Sequence, residues 1–434
     1  MQHGAWVALN RDLRPTAVVL VTGSELVRGG RMDENGPFLA RELSTRGIEP
    51  ERVVVVGDRP DGLEAAFRES LGAGLVVTSG GLGPTHDDRT VETLARVAGR
   101  ELVLDAALER EIGGVVLGLS ERFRRPYEEF ESGVRKQATI PEGAESLGLA
   151  GTAPGLVLEV DASVVVVLPG PPGELQRLWA RALETVPVQR VLEAASSPDH
   201  RILRFFGLPE SAVARVVERA GGEGEGVDIT ICAHDLEVQV DLVVRPGADG
   251  HADSLQRALA EALPRALFAD DERPVEELVL DLAREQGLSI AAAESCTGGL
   301  VAARLTSVPG SSESFAGGIV AYDNRLKRDL LGVSDELLSR HGAVSAETAA
   351  AMALGIRGAV GADVGVSVTG VAGPGGGTPE KPVGLVYLHA STPGAEEAME
   401  LHLPGDRAAV RRRAAASALH LLRRVLAQSR HTQE

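Results

Sequence analysis

Two cysteines in 434 residues, Cys232 and Cys296, are too few for a disulfide framework or a C-x-x-C metal motif. Thiols this sparse suit a reducing compartment, so a cytoplasmic protein is expected. Positive charge is also short: 44 Lys and Arg face 62 Asp and Glu, a net charge of −18. Broad binding to nucleic-acid phosphates needs a basic face, so that function class is excluded, although a local basic pocket is allowed. No run of about 18 apolar residues occurs, so neither a membrane-spanning helix nor a membrane partner is expected. Residues 1–15 lack a long apolar stretch and read as a loose extension rather than a signal peptide. What remains is 44% hydrophobic and 24% charged, the composition of packed globular domains. The length allows two to four of them.

The order of elements points to an α/β protein. "TAVVLVTG", "RVVVVGD" and "AGLVVTSGG" read as buried strands, and amphipathic helices such as "NGPFLARELSTRG" and "TVETLARVAG" separate them. Short strand–helix–strand connections imply a doubly wound parallel sheet. "PGLVLEV" and "SVVVVLPG" add two strands joined by a turn, and the domain is drawn at 16–186. Residues 187–272 change character: "VDITICAH" and "LEVQVDLVVRP" alternate like strands with one exposed face, giving a small α+β module. Its glycine cluster "GGEGEG" carries Glu223 and Glu225, the wrong charge for an RNA-clamping loop. It reads as a spacer or dimerisation module, and a homodimer without direct nucleic-acid contact is expected. A third α/β domain, 273–434, follows the polar stretch around Pro274.

"SGGLGPTHDD", Ser79 to Asp88, leaves the C-terminal end of the third strand, where open α/β sheets bind ligands. Gly80, Gly81 and Gly83 let backbone N–H groups converge on an anion, and Thr85 can add a hydroxyl. Asp88 stands in the same loop, Asp58 and Glu25 at neighbouring strand ends, and Glu174 at the start of a helix after "LPGPPG". Acids beside a phosphate-type loop suggest a divalent metal bridging carboxylate and phosphate. Capping of the next helix is the competing reading for the loop aspartates.

In the last domain, "AAAESCTGG" presents Ser295 on a strand-to-helix turn, as nucleophilic serines often are; it could equally cap the helix. "PGSSESF" supplies Ser311 and Ser312 on another loop. No histidine stands near in a Ser–His–Asp pattern, so a lysine is the remaining base, and Lys327 in "NRLKRDLLG" is the candidate. On spacing alone it could be an ordinary helix lysine. Tyr322 ends a strand and Thr369 tips another. "VAGPGGG", with Gly373, offers N–H groups for an oxyanion or phosphate. Arg407, in the first turn of the last helix, makes an anion site with the helix N-terminus. Arg411 to Arg413 read as helix surface.

These motifs carry a resemblance. "TGSELVRGGRMDENGPFLARELSTRGI", "SGGLGPTHDDRTVETLA", "GTAPGL" and "VLPGPPGEL" resemble the N-terminal domain of the competence/damage-inducible protein A (CinA) family, which is similar to molybdopterin-binding domains. The resemblance implies metal-dependent hydrolysis of ADP-ribose to AMP and ribose 5-phosphate. Asp88 matches an acid near the pyrophosphate, and Asn35 a ribose or base contact. Ser24 departs from the family pattern before "EL". The middle segment, with "FFGLPES", resembles the family's KH-like module. "AAAESCTGGLVAARLT", "PGSSESFAGGIVAYDNRLKRDLLGV", "TGVAGPGGG", "KPVGLVY" and "PGDRAAVR" resemble nicotinamide-nucleotide amidases. That implies hydrolysis of nicotinamide mononucleotide to nicotinic acid mononucleotide and ammonia, without a cofactor. Ser295, Ser312, Lys327 and Thr369 match catalytic positions, and Tyr322 and Arg407 substrate-binding ones. Either serine could be the nucleophile. The expectation is a bifunctional hydrolase of pyridine-nucleotide salvage. The alternatives for the N-terminal domain are a molybdopterin nucleotidyl transferase and a non-catalytic nucleotide sensor.

Overall fold

The computed structural model describes residues 15–195 and 198–431, so the expected extension lies, apart from Pro15, outside the described residues. The chain divides into two compact units, residues 1–199 and 200–434.

The first unit holds β1 (Thr16–Thr22), β2 (Glu49–Val56), β3 (Leu75–Ser79), β4 (Leu102–Leu104), β5 (Thr139–Pro141), β6 (Glu145–Leu149), β7 (Pro154–Val160) and β8 (Ser163–Leu168). Its main sheet runs β2-β1-β3-β8-β7-β6, and β4 pairs with β5 in a separate ribbon. The first four strands of that order are parallel. The sheet is not parallel throughout, however: β7 lies antiparallel to both β8 and β6. The cause is the two-residue turn Asp161–Ala162, which is far too short for the crossover that parallel neighbours need. Strands β3 and β8 are buried on both faces, and β1 nearly so, because helices cover each side of the sheet. Val18 and Leu20 pack with Phe67, Leu94 and Ile112 on one face. Val19 and Val21 pack with Leu39, Leu175 and Trp179 on the other. Each fully buried Leu or Phe contributes roughly 1.5–3 kcal/mol.

The second unit begins with β9 (Asp199–Phe206), β10 (Val227–His234), β11 (Glu237–Val244) and β12 (Leu267–Ala269), ordered β10-β11-β9-β12. Alternate residues of β11 are buried, which leaves the sheet one core face. A five-stranded sheet follows: β13 (Ile290–Glu294), β14 (Phe315–Val320), β15 (Val364–Gly370), β16 (Leu385–Ser391) and β17 (Glu396–His402), ordered β14-β13-β15-β16-β17. Its inner strand β13 reads "IAAAE". Three fully buried alanines let helices close on both faces. The final helix, Arg407–His431, buries Val410, Ala414, Ala418, Leu422 and Val425 in that core.

The same helix carries His420, fully buried, stacked on Phe206 at 3.8 Å and edge-on to Phe268 at 4.5 Å. Burial pushes its imidazole pKa down to about 4, so the ring is neutral at pH 7. Its Nε2 stands 2.9 Å from the Glu237 carboxylate. Among the described residues no helix is long and apolar enough to cross a membrane.

Candidate active sites

The first site is a cleft of about 570 Å³ at the C-terminal edge of β1, β3 and β8. Seven carboxylates line it (Glu25, Asp33, Glu34, Asp58, Asp87, Asp88 and Glu174) against one guanidinium, Arg31. All four sequence-derived metal candidates, the three loop glycines and Asn35 therefore share one cleft. They do not assemble a metal cage: among the described residues no three Asp, Glu, His or Cys side chains group to hold an ion. The reason lies in local contacts. Asp58 accepts the Ser24 N–H at 2.8 Å, and Ser24 Oγ accepts the Asp58 N–H in return. Asp88 accepts the Thr85 N–H at 3.0 Å and the Thr85 hydroxyl at 2.5 Å. The Glu25 carboxylate lies against Gly23, and that of Glu174 against Gly151. The expected ligand set, Glu25, Asp58, Asp88 and Glu174, is in this structure a shared lining of separately tethered acids.

The loop itself is built around those tethers. A Cβ on Gly83 would stand 2.4 Å from an Asp88 carboxylate oxygen, so a side chain there would displace that carboxylate. Gly80 and Gly81 similarly leave room for Thr22 and Thr90. The Thr85 hydroxyl also donates to Asp87, which holds that carboxyl below its usual range. Asp87 and Asp88 stand in the turn before the helix Thr90–Val97, whose N-cap is Arg89, so neither is the cap. Asn35 uses its amide N–H groups on Ser79 Oγ at 2.9 Å and on the Gly170 carbonyl at 2.7 Å, clipping together the ends of β3 and β8. Sequence reasoning missed Lys136, in the unread stretch between 100 and 150. Its ammonium donates to the carbonyls of Gly83, Thr85 and Asp88 and so braces the loop.

The second site lies at the C-terminal edge of β13, β14 and β15. Ser295 follows β13, and its N–H donates to the Val368 carbonyl at 2.9 Å. The turn after it is held by Glu294, 1% exposed, which accepts the N–H groups of Gly299, Val301 and Ala302. Lys327, in the first turn of the helix Asn324–Leu331, is 1% exposed. Its Nζ stands 3.2 Å from Ser295 Oγ, 2.9 Å from the Ala321 carbonyl and 3.3 Å from the Tyr322 carbonyl. Burial pushes the Lys327 pKa down, against a smaller upward pull from Asp323. A helix N-terminus also disfavours a cation.

Thr369 lies one residue beyond Val368, and its hydroxyl donates to the Ala343 carbonyl at 2.6 Å. Tyr322 accepts a hydrogen bond from Arg407 at 2.8 Å, and Arg407 also donates to the Gly373 carbonyl at 2.8 Å. Gly373 has φ +81°, and a Cβ there would stand 2.6 Å from Val383, so this turn needs glycine. Ser312 is not brought to this site. It precedes β14, which runs parallel to β13, while Ser295 follows β13. The six residues of β14 separate the two sheet edges by roughly 20 Å.

Arg411 is not simple helix surface. Its Nε donates to the Cys296 carbonyl at 3.2 Å and its Nη2 to the Thr297 carbonyl at 2.7 Å. Arg412 and Arg413 instead face Asp235 in the turn between β10 and β11. The i, i+4 spacing of Arg407 and Arg411 was the available signal, since it puts both on one helix face. Glu294, in "AAAESC", gave none.

Two family models match this chain: the CinA C-terminal domain over residues 272–426, and a probable molybdopterin binding domain over 18–188. A CinA-like protein of Mycolicibacterium vanbaalenii is 44% identical over 419 residues, covering 94% of this chain and 98% of the relative. One of Mycobacterium tuberculosis is 43% identical over 422 residues, covering 94% and 97%. The crystal structure of a competence/damage-inducible protein from Agrobacterium tumefaciens is 40% identical. It covers 36% of this chain and 99% of its own, with a TM-score of 0.34.

Proposed function

Because this chain belongs to the CinA family, we propose that its C-terminal domain is an amidase converting nicotinamide mononucleotide to nicotinic acid mononucleotide and ammonia. The observation that carries the reading is the environment of Lys327 Nζ. A neutral amine has two N–H groups and one lone pair. Two carbonyls, those of Ala321 and Tyr322, take the N–H groups and leave the lone pair to face Ser295 Oγ. Burial favours that neutral form. Ser295 Oγ then attacks the amide carbon as its proton passes to Lys327, and the carbonyl oxygen takes the negative charge. Collapse of the adduct expels ammonia, which leaves with the proton from Lys327. Water, deprotonated by the same amine, hydrolyses the acyl-enzyme and frees Ser295 and the carboxylate product. The Tyr322 ring, 58% exposed, offers a stacking face for the pyridine, and Arg407 suits the 5′-phosphate. In the full-length protein, ammonia should appear from nicotinamide mononucleotide, and Ser295→Ala should abolish it. A wild-type protein that releases none refutes the reading.

We extend the proposal to the N-terminal cleft as a site for hydrolysis of ADP-ribose to AMP and ribose 5-phosphate. Its position at the sheet edge and its glycine loop support the reading. Seven carboxylates would repel a diphosphate that arrived without cations. They do not preform a metal cage, so no residue is assigned to a bound ion; chelation during the assay reads out the requirement. AMP formed by the full chain supports hydrolysis, whereas tight binding without AMP favours nucleotidyl transfer or sensing.

A further inference from the structure

The nucleophile turn contains more unanswered polarity than serine presentation needs. Thr297 is fully buried, yet its hydroxyl has no hydrogen-bond partner among the described residues. Its backbone N–H likewise donates to no carbonyl there. Buried donors are rarely left so. The carbonyls on either side of that N–H are, by contrast, fully engaged. Arg411 reaches across from the last helix and holds the Cys296 and Thr297 oxygens with Nε and Nη2.

A trans peptide is planar, so its C=O and N–H point in opposite directions. Drawing the Cys296 carbonyl toward Arg411 therefore turns the Thr297 N–H away from it. Drawing the Thr297 carbonyl does the same for the Gly298 N–H, which is occupied by the Ser295 carbonyl at 3.1 Å. That leaves the Thr297 N–H as the open donor two residues past the nucleophile. Arg411 is itself held by its helix, one turn after Arg407, which binds Tyr322 and Gly373. Tyr322 in turn gives its carbonyl to Lys327, and Lys327 meets Ser295. The contacts close a ring around the site, and Arg411 is the member that fixes the nucleophile turn.

We propose that Arg411 is a positioning residue that builds the oxyanion site by aiming the Thr297 N–H at the oxygen charged when Ser295 attacks. This rests on Ser295 being the nucleophile of the amidase reading. The test compares full-length wild type, Arg411→Met and Arg411→Lys on two readouts. One is kcat and KM for ammonia release from nicotinamide mononucleotide. The other is the rate at which a small alkyl fluorophosphonate labels Ser295, where the Oγ–P bond forms as fluoride leaves and a phosphoryl oxygen takes the oxyanion position. Arg411→Met should lower kcat and the labelling rate together, by about ten- to hundredfold, with KM within about threefold. Arg411→Lys should recover only part of the loss, because a point charge cannot span two carbonyls as a guanidinium does. Arg412→Ala, which faces Asp235 instead, should match wild type in both. Wild-type labelling in Arg411→Met overturns the proposal, as does a loss confined to KM. Failure of the nicotinamide reading looks different: the wild type yields no ammonia while Ser295 still takes the phosphonate, and labelling alone then decides the role of Arg411. If wild-type Ser295 takes no phosphonate, both ideas fall.

Discussion

The N-terminal cleft leaves its loop carboxylates in water, whereas the C-terminal site buries its lysine. Asp87 and Asp88 stand in a turn whose residues 84–87 are exposed, their carboxylates held by Thr85. Seven carboxylates around one cleft leave the electrostatics to be completed by whatever enters. Lys327 is 1% exposed and has carbonyls for neighbours, with no carboxylate in ion-pair contact among the described residues. Dehydration weakens its hold on a proton and turns a cation into a base. The same α/β sheet edge thus supports two strategies. In one the ligand brings the balancing charge; in the other the fold generates a reactive neutral amine.

The sharpest way to break this contrast is Lys327→Met. It should cut amide hydrolysis by about a thousandfold, within the usual range for a lost general base. AMP formation from ADP-ribose by the same preparation should be unchanged. In the wild type, protonated Lys327 is inactive, so kcat/KM should rise with pH and level off once the amine is neutral. Because burial lowers its pKa, the midpoint of that rise should lie below the ~10.4 of an ordinary lysine. A pH-independent rate, or a limb at the ordinary lysine value, would break the comparison on its dry side.

Asp88→Ala tests the wet side. It removes the acceptor of the Thr85 N–H and hydroxyl and opens the space between that side chain and Gly83. AMP formation should fall by about a hundredfold through misplacement of the loop, while ammonia release is untouched. Full AMP formation in this variant would show that the loop does not order the ligand.

How much of this could be read from the chain depended on the kind of signal. Apart from β6, the strands of both large sheets were legible, because apolar β-branched runs between amphipathic helices have few alternative folds. So was the strand-to-helix turn at Ser295, since "ESCTGG" places glycines where a helix must start just after a strand. Direction was less legible. The antiparallel β7 follows from a two-residue connection that the runs "PGLVLEV" and "SVVVVLPG" contain but do not advertise. Long-range pairing was not legible at all. Lys136 meets its loop across some 50 residues and Arg411 its turn across more than a hundred, and neither spacing is local. Ser312 shows the converse. Two serines 17 residues apart look adjacent in a motif, yet strand direction sends them to opposite edges.

The smallest expected effect concerns the side chain beside the nucleophile. Cys296 is a thiol next to Ser295, and a thiol is ordinarily the better nucleophile, so it is a rival for the chemistry. It is 5% exposed, and burial pushes its pKa up to about 12. At pH 8 the reactive thiolate would be roughly one molecule in 10⁴. Its backbone carbonyl, not its sulfur, is what Arg411 holds. Cys296→Ala should therefore keep ammonia release within about threefold and cost about 1 kcal/mol of stability for the lost buried atom. Iodoacetamide should alkylate the exposed Cys232 first and leave activity intact. Mass spectrometry of the alkylated protein alongside the rate decides it. Inactivation that tracks modification of Cys296, or a hundredfold loss in a stable Cys296→Ala, would move the nucleophile from Ser295 to its neighbour and remove the reason for a dehydrated lysine.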